Sequence, residues 1–374
     1  MRVLSLFSGC GGLDVGAHQA GLNTLLAIDA NARAIETYLL NLKSPAIVAD
    51  LTARENLKFP KSIDIVLGGP PCQGFSSAGP KNPNDPRNKL WKAYLEVLKI
   101  VKPKAFLIEN VPGFEAELPN FLAELSSNFP GQFDIFWKKI VSQYYGVPQF
   151  RHRIFVIGIG KNASKNFRWP EPVDQEIFNY TLKFKNMITL QAALGELGPP
   201  LAATDNDGPG GLDHVYLPLS SNDQEIAIHI PNGGSLKDIP DKYLPQPYAG
   251  RARGHKGWTW YFRKPRVDLP ARSVLASIRP NFSTVLAPDV KYVLSGTNWQ
   301  MEALDSASYT DNDGLYTSPV HPRRLSVREY ARIQTFPDDF VFTGTLLEKY
   351  RMIGNAVPCE LARRLCISIS ESFK

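Results

Sequence analysis

The chain has 374 residues, 43% hydrophobic and 11% aromatic, which is enough to bury a large core and too long for one compact unit, so two domains are expected. Its formal net charge is +6, and it has neither an apolar run of 18 residues nor a charged-then-apolar leader. That argues against a membrane span or a secretory signal and for a cytoplasmic protein. The four cysteines, Cys10, Cys72, Cys359 and Cys366, show no metal-ligand spacing, and a chain of this size needs no disulfides.

Strand-like and helix-like runs alternate over the first two hundred residues, the pattern of an α/β fold with a mostly parallel sheet flanked by helices. Arg2 to Phe7 reads as a strand, Ser8 to Gly12 as a tight glycine turn and Leu13 to Ala20 as a helix. A strand over Leu25 to Ile28, ended by Asp29, leads to a helix over Ala32 to Leu42. Short strands follow at Ile47 to Ala49 and Ile63 to Leu67, then a helix over Leu90 to Val101 and a strand, Ala105 to Ile108, that delivers Glu109. Further strands are expected at Phe133 to Val141 and Arg153 to Ile159. Gln149 and Arg151 continue the alternation ahead of Arg153, which puts Arg151 and Arg153 on one face. Near the carboxyl end Ser326 caps a helix, Glu329 completes a capping box, and the helix runs on to Phe336 and Pro337. Gly354-Asn355 begins a turn before a last helix, Cys359 to Phe373, whose two cysteines share a face and read as core.

Gly69-Pro-Pro-Cys-Gln-Gly-Phe-Ser76 presents one thiol on a stiffened backbone at the end of a buried strand, because each proline fixes its own φ and restricts the residue before it. Open α/β sheets place ligands at such carboxyl ends. From this loop alone, Cys72 as a nucleophile and Cys72 as a buried small hydrophobe are equally open. The glycine turn invites a dinucleotide reading, but the position of the third fingerprint glycine is Asp14. A ligand with a ribose and no phosphate suits it better.

Seven segments then follow one another in a telling order. They are Leu4-Ser-Leu-Phe-Ser-Gly-Cys-Gly-Gly12, Pro70-Pro-Cys-Gln-Gly-Phe-Ser76, Asp85-Pro-Arg-Asn88, Glu109-Asn-Val111, Gln143-Tyr-Tyr-Gly-Val-Pro-Gln-Phe-Arg-His-Arg153, Arg324 to Pro337 and Gly354-Asn-Ala-Val-Pro358. Together they resemble the DNA cytosine-5 methyltransferases of bacterial restriction-modification systems, over roughly residues 1–160 and 322–374. The resemblance implies the Rossmann-like fold of S-adenosylmethionine-dependent methyltransferases with a smaller target-recognition domain. It places Phe7, Gly9, Gly11 and Gly12 along the methionine and ribose of the cofactor, S-adenosylmethionine, with Asp29 on the ribose hydroxyls and Asp50 on the adenine amino group. Pro70 and Asn355 join that set. Ala30 departs from the pattern, since relatives often carry a large side chain there to stack on adenine, so Leu51 is expected to supply that contact. The resemblance also implies that Cys72 attacks carbon 6 of cytosine, that Glu109 hydrogen-bonds and protonates ring nitrogen 3, and that Arg153 holds the exocyclic oxygen and orients Cys72. No metal is needed.

A base inside a duplex has to be flipped out to reach such a pocket. The turn-rich segment Ser76 to Leu90 suits a loop that closes over DNA, with Ser76 and Arg87 as phosphate contacts and Gln73 and Arg151 beside them; a plain solvated loop is the alternative. Between Arg251 and Arg279 eight basic residues face one acid, Asp268, a net +7, interleaved with Trp258, Trp260, Tyr261 and Phe262. Cations among aromatics suit phosphate and groove contacts, so the DNA-binding set includes Arg263, Lys264 and Arg266; a solvated basic face is the competing reading. Loops from Ala203 to Gly211 and from Tyr309 to Gly314 mark its edges. The expected domains are residues 1–165 (catalytic and cofactor-binding), 166–322 (target recognition) and 323–374 (a hinge helix and a last helix returning to the first domain). Double-stranded DNA is the expected partner of a monomeric enzyme, with a cognate restriction endonuclease acting separately. The rival readings are a transfer RNA cytosine-5 methyltransferase and a catalytically silent DNA-binding protein on the same scaffold.

Overall fold

The computed structural model describes residues 1–71, 90–173, 187–197, 200–203, 213–244, 263–277, 285–287, 290–295, 298–303 and 322–374. β1 (Arg2–Leu6) is followed by α1 (Gly12–Gln19), β2 (Asn23–Asp29), α2 (Ala32–Asn41), β3 (Ala46–Val48) and β4 (Ile65–Gly68). Then come α3 (Leu90–Val101), β5 (Ala105–Asn110), α4 (Leu118–Asn128), β6 (Phe133–Val141), a two-residue β7 (Gln149–Phe150) and β8 (His152–Gly160). Seven of these strands form one sheet in the order β3-β2-β1-β4-β5-β8-β6. β1 to β5 run parallel, whereas β8 is antiparallel to both β5 and β6, which gives the mostly parallel sheet that the alternating pattern predicts.

Because strand side chains alternate between faces, the apolar runs feed two cores. Leu4, Leu6, Phe106 and Ile108 pack on one face with Trp91, Tyr94 and Phe121, while Val3, Leu67, Leu107 and Ile157 pack on the other with Leu13, Leu361, Leu365 and Cys366. The second core draws the carboxyl-terminal helix (Cys359–Glu371) against α1. Gly16 makes that approach possible, since a Cβ there would lie 2.5 Å from Ala362 Cβ and from the Cys359 carbonyl oxygen.

The chain divides into two compact units. The first holds Met1–Val147, Arg151–Lys183 and Asn355–Lys374; the second holds Pro148–Phe150 and Phe184–Gly354. The return to the first unit begins at Asn355, and residues 323–354, which include the hinge helix, group with the second unit. Within the second unit Leu219, Ile226, Ile230, Leu236, Ile239 and Val285 form a small core. A helix over Val327–Ile333 starts at Ser326 with both halves of the capping box in place. It stops before the expected Phe336, because Thr335 turns left-handed (φ 59°) and the Phe336 amide bonds back to the Ala331 carbonyl. A further helix, Leu346–Asn355, runs through the Gly354-Asn355 pair where a turn was expected. Among the described residues no helix is long and apolar enough to cross a membrane.

Candidate active site

The sheet order reverses between β1 and β4, the switch point at which open α/β sheets leave a crevice at their carboxyl ends. Leu6 lies opposite Gly68 and Gly68 opposite Ile108, so the ends of β1, β4 and β5 stand side by side. The glycine turn, the prolines before Cys72 and Glu109 therefore converge there.

The turn after β1 is built on left-handed backbone at Phe7 (φ 52°), Gly9 (φ 55°) and Gly11 (φ 99°). Phe7 carries steric strain that glycine would not. Asp29, at the end of β2, fastens the turn, with Oδ2 accepting from the Gly9 amide at 2.8 Å and Oδ1 from the Asn31 amide at 2.8 Å. Burial pushes its carboxyl above the ordinary range, and the two amides work against that. Each oxygen keeps a further lone pair for a ligand hydroxyl. Asp50 is exposed and caps the short helix Leu51–Ala53, its Oδ1 accepting from the Thr52 amide and hydroxyl, both at 2.8 Å, which lowers its pKa. Leu51, expected against adenine, is instead 2% exposed within the first core, because that helical turn points it inward. Gly12 has a packing reason of its own: a Cβ there would lie 2.5 Å from the Val357 carbonyl oxygen and 3.0 Å from Ala356 Cβ. That brings the segment next to Asn355 against the turn, and Asn355 itself is exposed.

At the end of β4 the Asn110 side chain donates to the Pro70 carbonyl at 3.0 Å, which fixes the backbone leading to Cys72. Asn110 was not singled out as a site residue, although it sits inside the Glu109-Asn-Val111 motif. A Cβ on Gly69 would lie 3.4 Å from Glu109 Oε2, so the carboxylate stands directly over this turn. Cys72, Gln73, Ser76 and Arg87 lie outside the described residues. The other three cysteines are buried; burial raises Cys10 and Cys366 to about 12 and Cys359 well above its ordinary value, so all three stay protonated at neutral pH.

Glu109 lies opposite Phe155 on β8, which makes Arg153 its diagonal neighbour on the same face. Arg153 Nε stands 2.8 Å from Glu109 Oε1, at an angle that makes the contact an ion pair rather than a directed hydrogen bond. Burial lowers the pKa of the Arg153 guanidinium, and the Glu109 carboxylate beside it works against that shift. Arg151 does not join them. The strand breaks at Arg151, whose carbonyl accepts from the Ser142 amide and hydroxyl, so the alternation that would align it with Arg153 is lost. Its side chain is 1% exposed and donates to the Ala356 carbonyl at 3.1 Å, which removes it from any DNA-facing surface.

Gln149, passed over as a site residue, is the hub of a buried amide network in the second unit. It donates to the Ile333 carbonyl (3.0 Å) and Gln334 Oε1 (2.6 Å) and accepts from the Val274 amide (3.2 Å). Of the expected DNA-binding cations, Lys264 is fully buried and Arg266 is ion-paired with Asp268, its Nε 2.9 Å from Oδ1. Lys264 is thereby withdrawn from solvent, whereas Arg266 stays exposed beside its partner. Arg263 is half-buried and bridges to Ser235. Residues 251–262 lie outside the described residues, as do most of the two flanking loops. In the first unit, a surface cleft of about 670 Å³, lined by His18, Asn23, Thr24, Asn41 and Ser44 among others, lies at the amino end of β2, opposite Asp29.

Type II methyltransferase M.FnuDI of Fusobacterium nucleatum is 32% identical over 381 residues, covering 100% of this chain and 95% of the relative. Type II methyltransferase M.NgoFVII of Neisseria gonorrhoeae is 30% identical over 382 residues, covering 100% and 88%. A crystal structure of a prophage-encoded E. coli protein, assigned as a DNA modification methyltransferase, matches with a TM-score of 0.65 at 22% identity, covering 100% of this chain and 99% of that one. That likeness shows the α/β methyltransferase fold. The pattern of the C-5 cytosine-specific DNA methylases matches residues 1–371, and the chain belongs to that family.

Proposed function

We propose that this chain transfers a methyl group from S-adenosylmethionine to carbon 5 of a cytosine flipped out of a specific duplex sequence, as the modification half of a restriction system. The buried Glu109–Arg153 pair beside Gly69 and Pro70, at the switch point of the sheet, carries the reading. The Type II designation of the relatives supports the restriction setting.

The turn and its neighbours fit a phosphate-free nucleoside. The side of Gly9 where a Cβ would stand is open, Asp29 offers lone pairs to a diol, and Asp14 replaces the glycine that a pyrophosphate site requires. When bound, S-adenosylmethionine supplies a methyl group on a positively charged sulfur. The protein's own residues make cytosine reactive. The Cys72 thiol gives up its proton and Sγ adds to carbon 6; the displaced electron pair moves toward nitrogen 3, where Glu109, having taken up a proton from solvent, delivers it. Arg153 holds both the exocyclic oxygen and the Glu109 carboxyl in line. Carbon 5 becomes electron-rich and takes the methyl group; a base, water or a side chain, then removes its proton, and the electron pair left behind expels the Cys72 thiolate. The chain should methylate duplex DNA carrying its target and leave transfer RNA unlabelled when both are offered with labelled cofactor. Label on the RNA alone would overturn the reading, and bisulfite sequencing of DNA from cells expressing the chain would identify the target.

A further inference from the structure

The glycine turn is closed from beneath by a carboxylate that the proposed chemistry does not use. Asp14, in the first turn of α1, is fully buried and accepts three hydroxyl donors, from Ser5 at 2.7 Å, Thr24 at 3.0 Å and Tyr38 at 3.1 Å. Ser5 stands on β1 ahead of Phe7, and Asp14 lies just beyond Gly12. Their hydrogen bond therefore ties together the two ends of the Phe7–Gly12 turn. Thr24 and Tyr38 bring β2 and α2 to the same carboxylate. The Tyr38 ring also forms the floor under Gly11, where a Cβ would lie 3.0 Å from Tyr38 Cδ2 and 2.8 Å from Leu42 Cδ1. From the other side Asp29 holds the Gly9 amide.

A buried carboxylate held by three hydroxyl donors is a costly way to fill a core, and an apolar residue of similar size often stabilises as well or better. What such a group adds over an apolar one is a fixed geometry. Here the geometry it fixes is the turn. Asp14 also occupies the position of the third glycine of a dinucleotide fingerprint, which there lets the helix pack close to the strand, so the clasp stands where those turns carry no side chain.

We propose that Asp14 is a positioning residue for the cofactor: through Ser5 and Tyr38 its carboxylate holds the Phe7–Gly12 turn in the shape that receives the nucleoside. This rests on the cofactor reading above. Calorimetric titration with S-adenosylhomocysteine tests it in wild type, Ser5→Ala, Tyr38→Phe, Asp14→Asn and Asp29→Ala, below the unfolding temperature of each. Ser5→Ala and Tyr38→Phe should each weaken binding about threefold to tenfold and Asp14→Asn more than about tenfold, with cofactor-free duplex affinity held within about twofold. Tyr38→Phe combined with Asp29→Ala should cost less than the sum of the two, because both act on one turn. If Asp14→Asn does not fold, the two hydroxyl deletions decide the matter alone. Wild-type affinity in both deletions alongside weakened Asp29→Ala would overturn the clasp and leave the cofactor reading intact, as would strict additivity. Wild-type affinity in Asp29→Ala would overturn the cofactor reading and the clasp with it.

Discussion

Asp29 holds the glycine turn through Gly9 and its own following chain through Asn31, so it contributes to the shape of the site as well as to its chemistry. Asp29→Ala removes charge-assisted hydrogen bonds worth about 1.5 to 3 kcal/mol, and S-adenosylhomocysteine should bind roughly tenfold or more weakly in calorimetric titration, with duplex affinity unchanged. The placement of Asp29, Glu109 and Arg153 on their strands was legible in the sequence because each follows or sits on an apolar run. The burial of Arg151 and Lys264 was not legible: a cation in a motif or a basic stretch reads as facing DNA, whereas Arg151 is drawn to the Ala356 carbonyl and Lys264 is packed into the interior. Charge in a sequence does not reveal burial. Gln149 was missed because an amide carries no charge signal, and its importance lies in partners distant along the chain.

Helix starts were more legible than helix ends. The Ser326–Glu329 capping box depends on local spacing and forms as expected, but Thr335 ends that helix in a left-handed conformation that no propensity would assign to a β-branched residue. Thr335→Gly should relieve that strain and raise stability by about 0.5–1 kcal/mol, seen as a higher urea midpoint with an unchanged slope. Gly354 misleads in the opposite direction. Glycine is a poor helix former, yet here it lies inside a helix because a Cβ would come within 2.3 Å of the Leu275 carbonyl. Gly16 obeys the same rule where α1 meets the carboxyl-terminal helix. Alanine there gains about 1 kcal/mol of helix propensity, but its Cβ meets backbone atoms at 2.5 Å that cannot swing aside. The clash should win, so Gly16→Ala should destabilise by roughly 1–3 kcal/mol in urea unfolding.

At the scale of the whole molecule, the alternating pattern made the parallel sheet readable, while the antiparallel insertion of β8 depends on pairing across the fold. The first unit is discontinuous, and residues 323–354, although they carry family motifs, group with the second unit. Neutralising Arg251, Arg253 and Lys256 should flatten the logarithmic salt dependence of duplex affinity by up to about 0.9 for each phosphate left without its cation. Lys264→Met should leave that slope alone and show itself in thermal stability. A slope that moved with Lys264 and stayed fixed for the other three would place the phosphate-binding cations elsewhere.

Covalent addition of Cys72 to a flipped cytosine underlies the proposed chemistry, and a duplex with 5-fluorocytosine at the target base traps it. Fluorine cannot leave carbon 5 as a cation, so after methylation Cys72 should remain bound. Incubation with S-adenosylmethionine should give a denaturation-stable adduct with the mass of protein, DNA and one methyl group, formed far more slowly by Glu109→Gln and not at all by Cys72→Ala. An adduct in the alanine variant, or attachment mapped to Cys10, Cys359 or Cys366, would contradict the account.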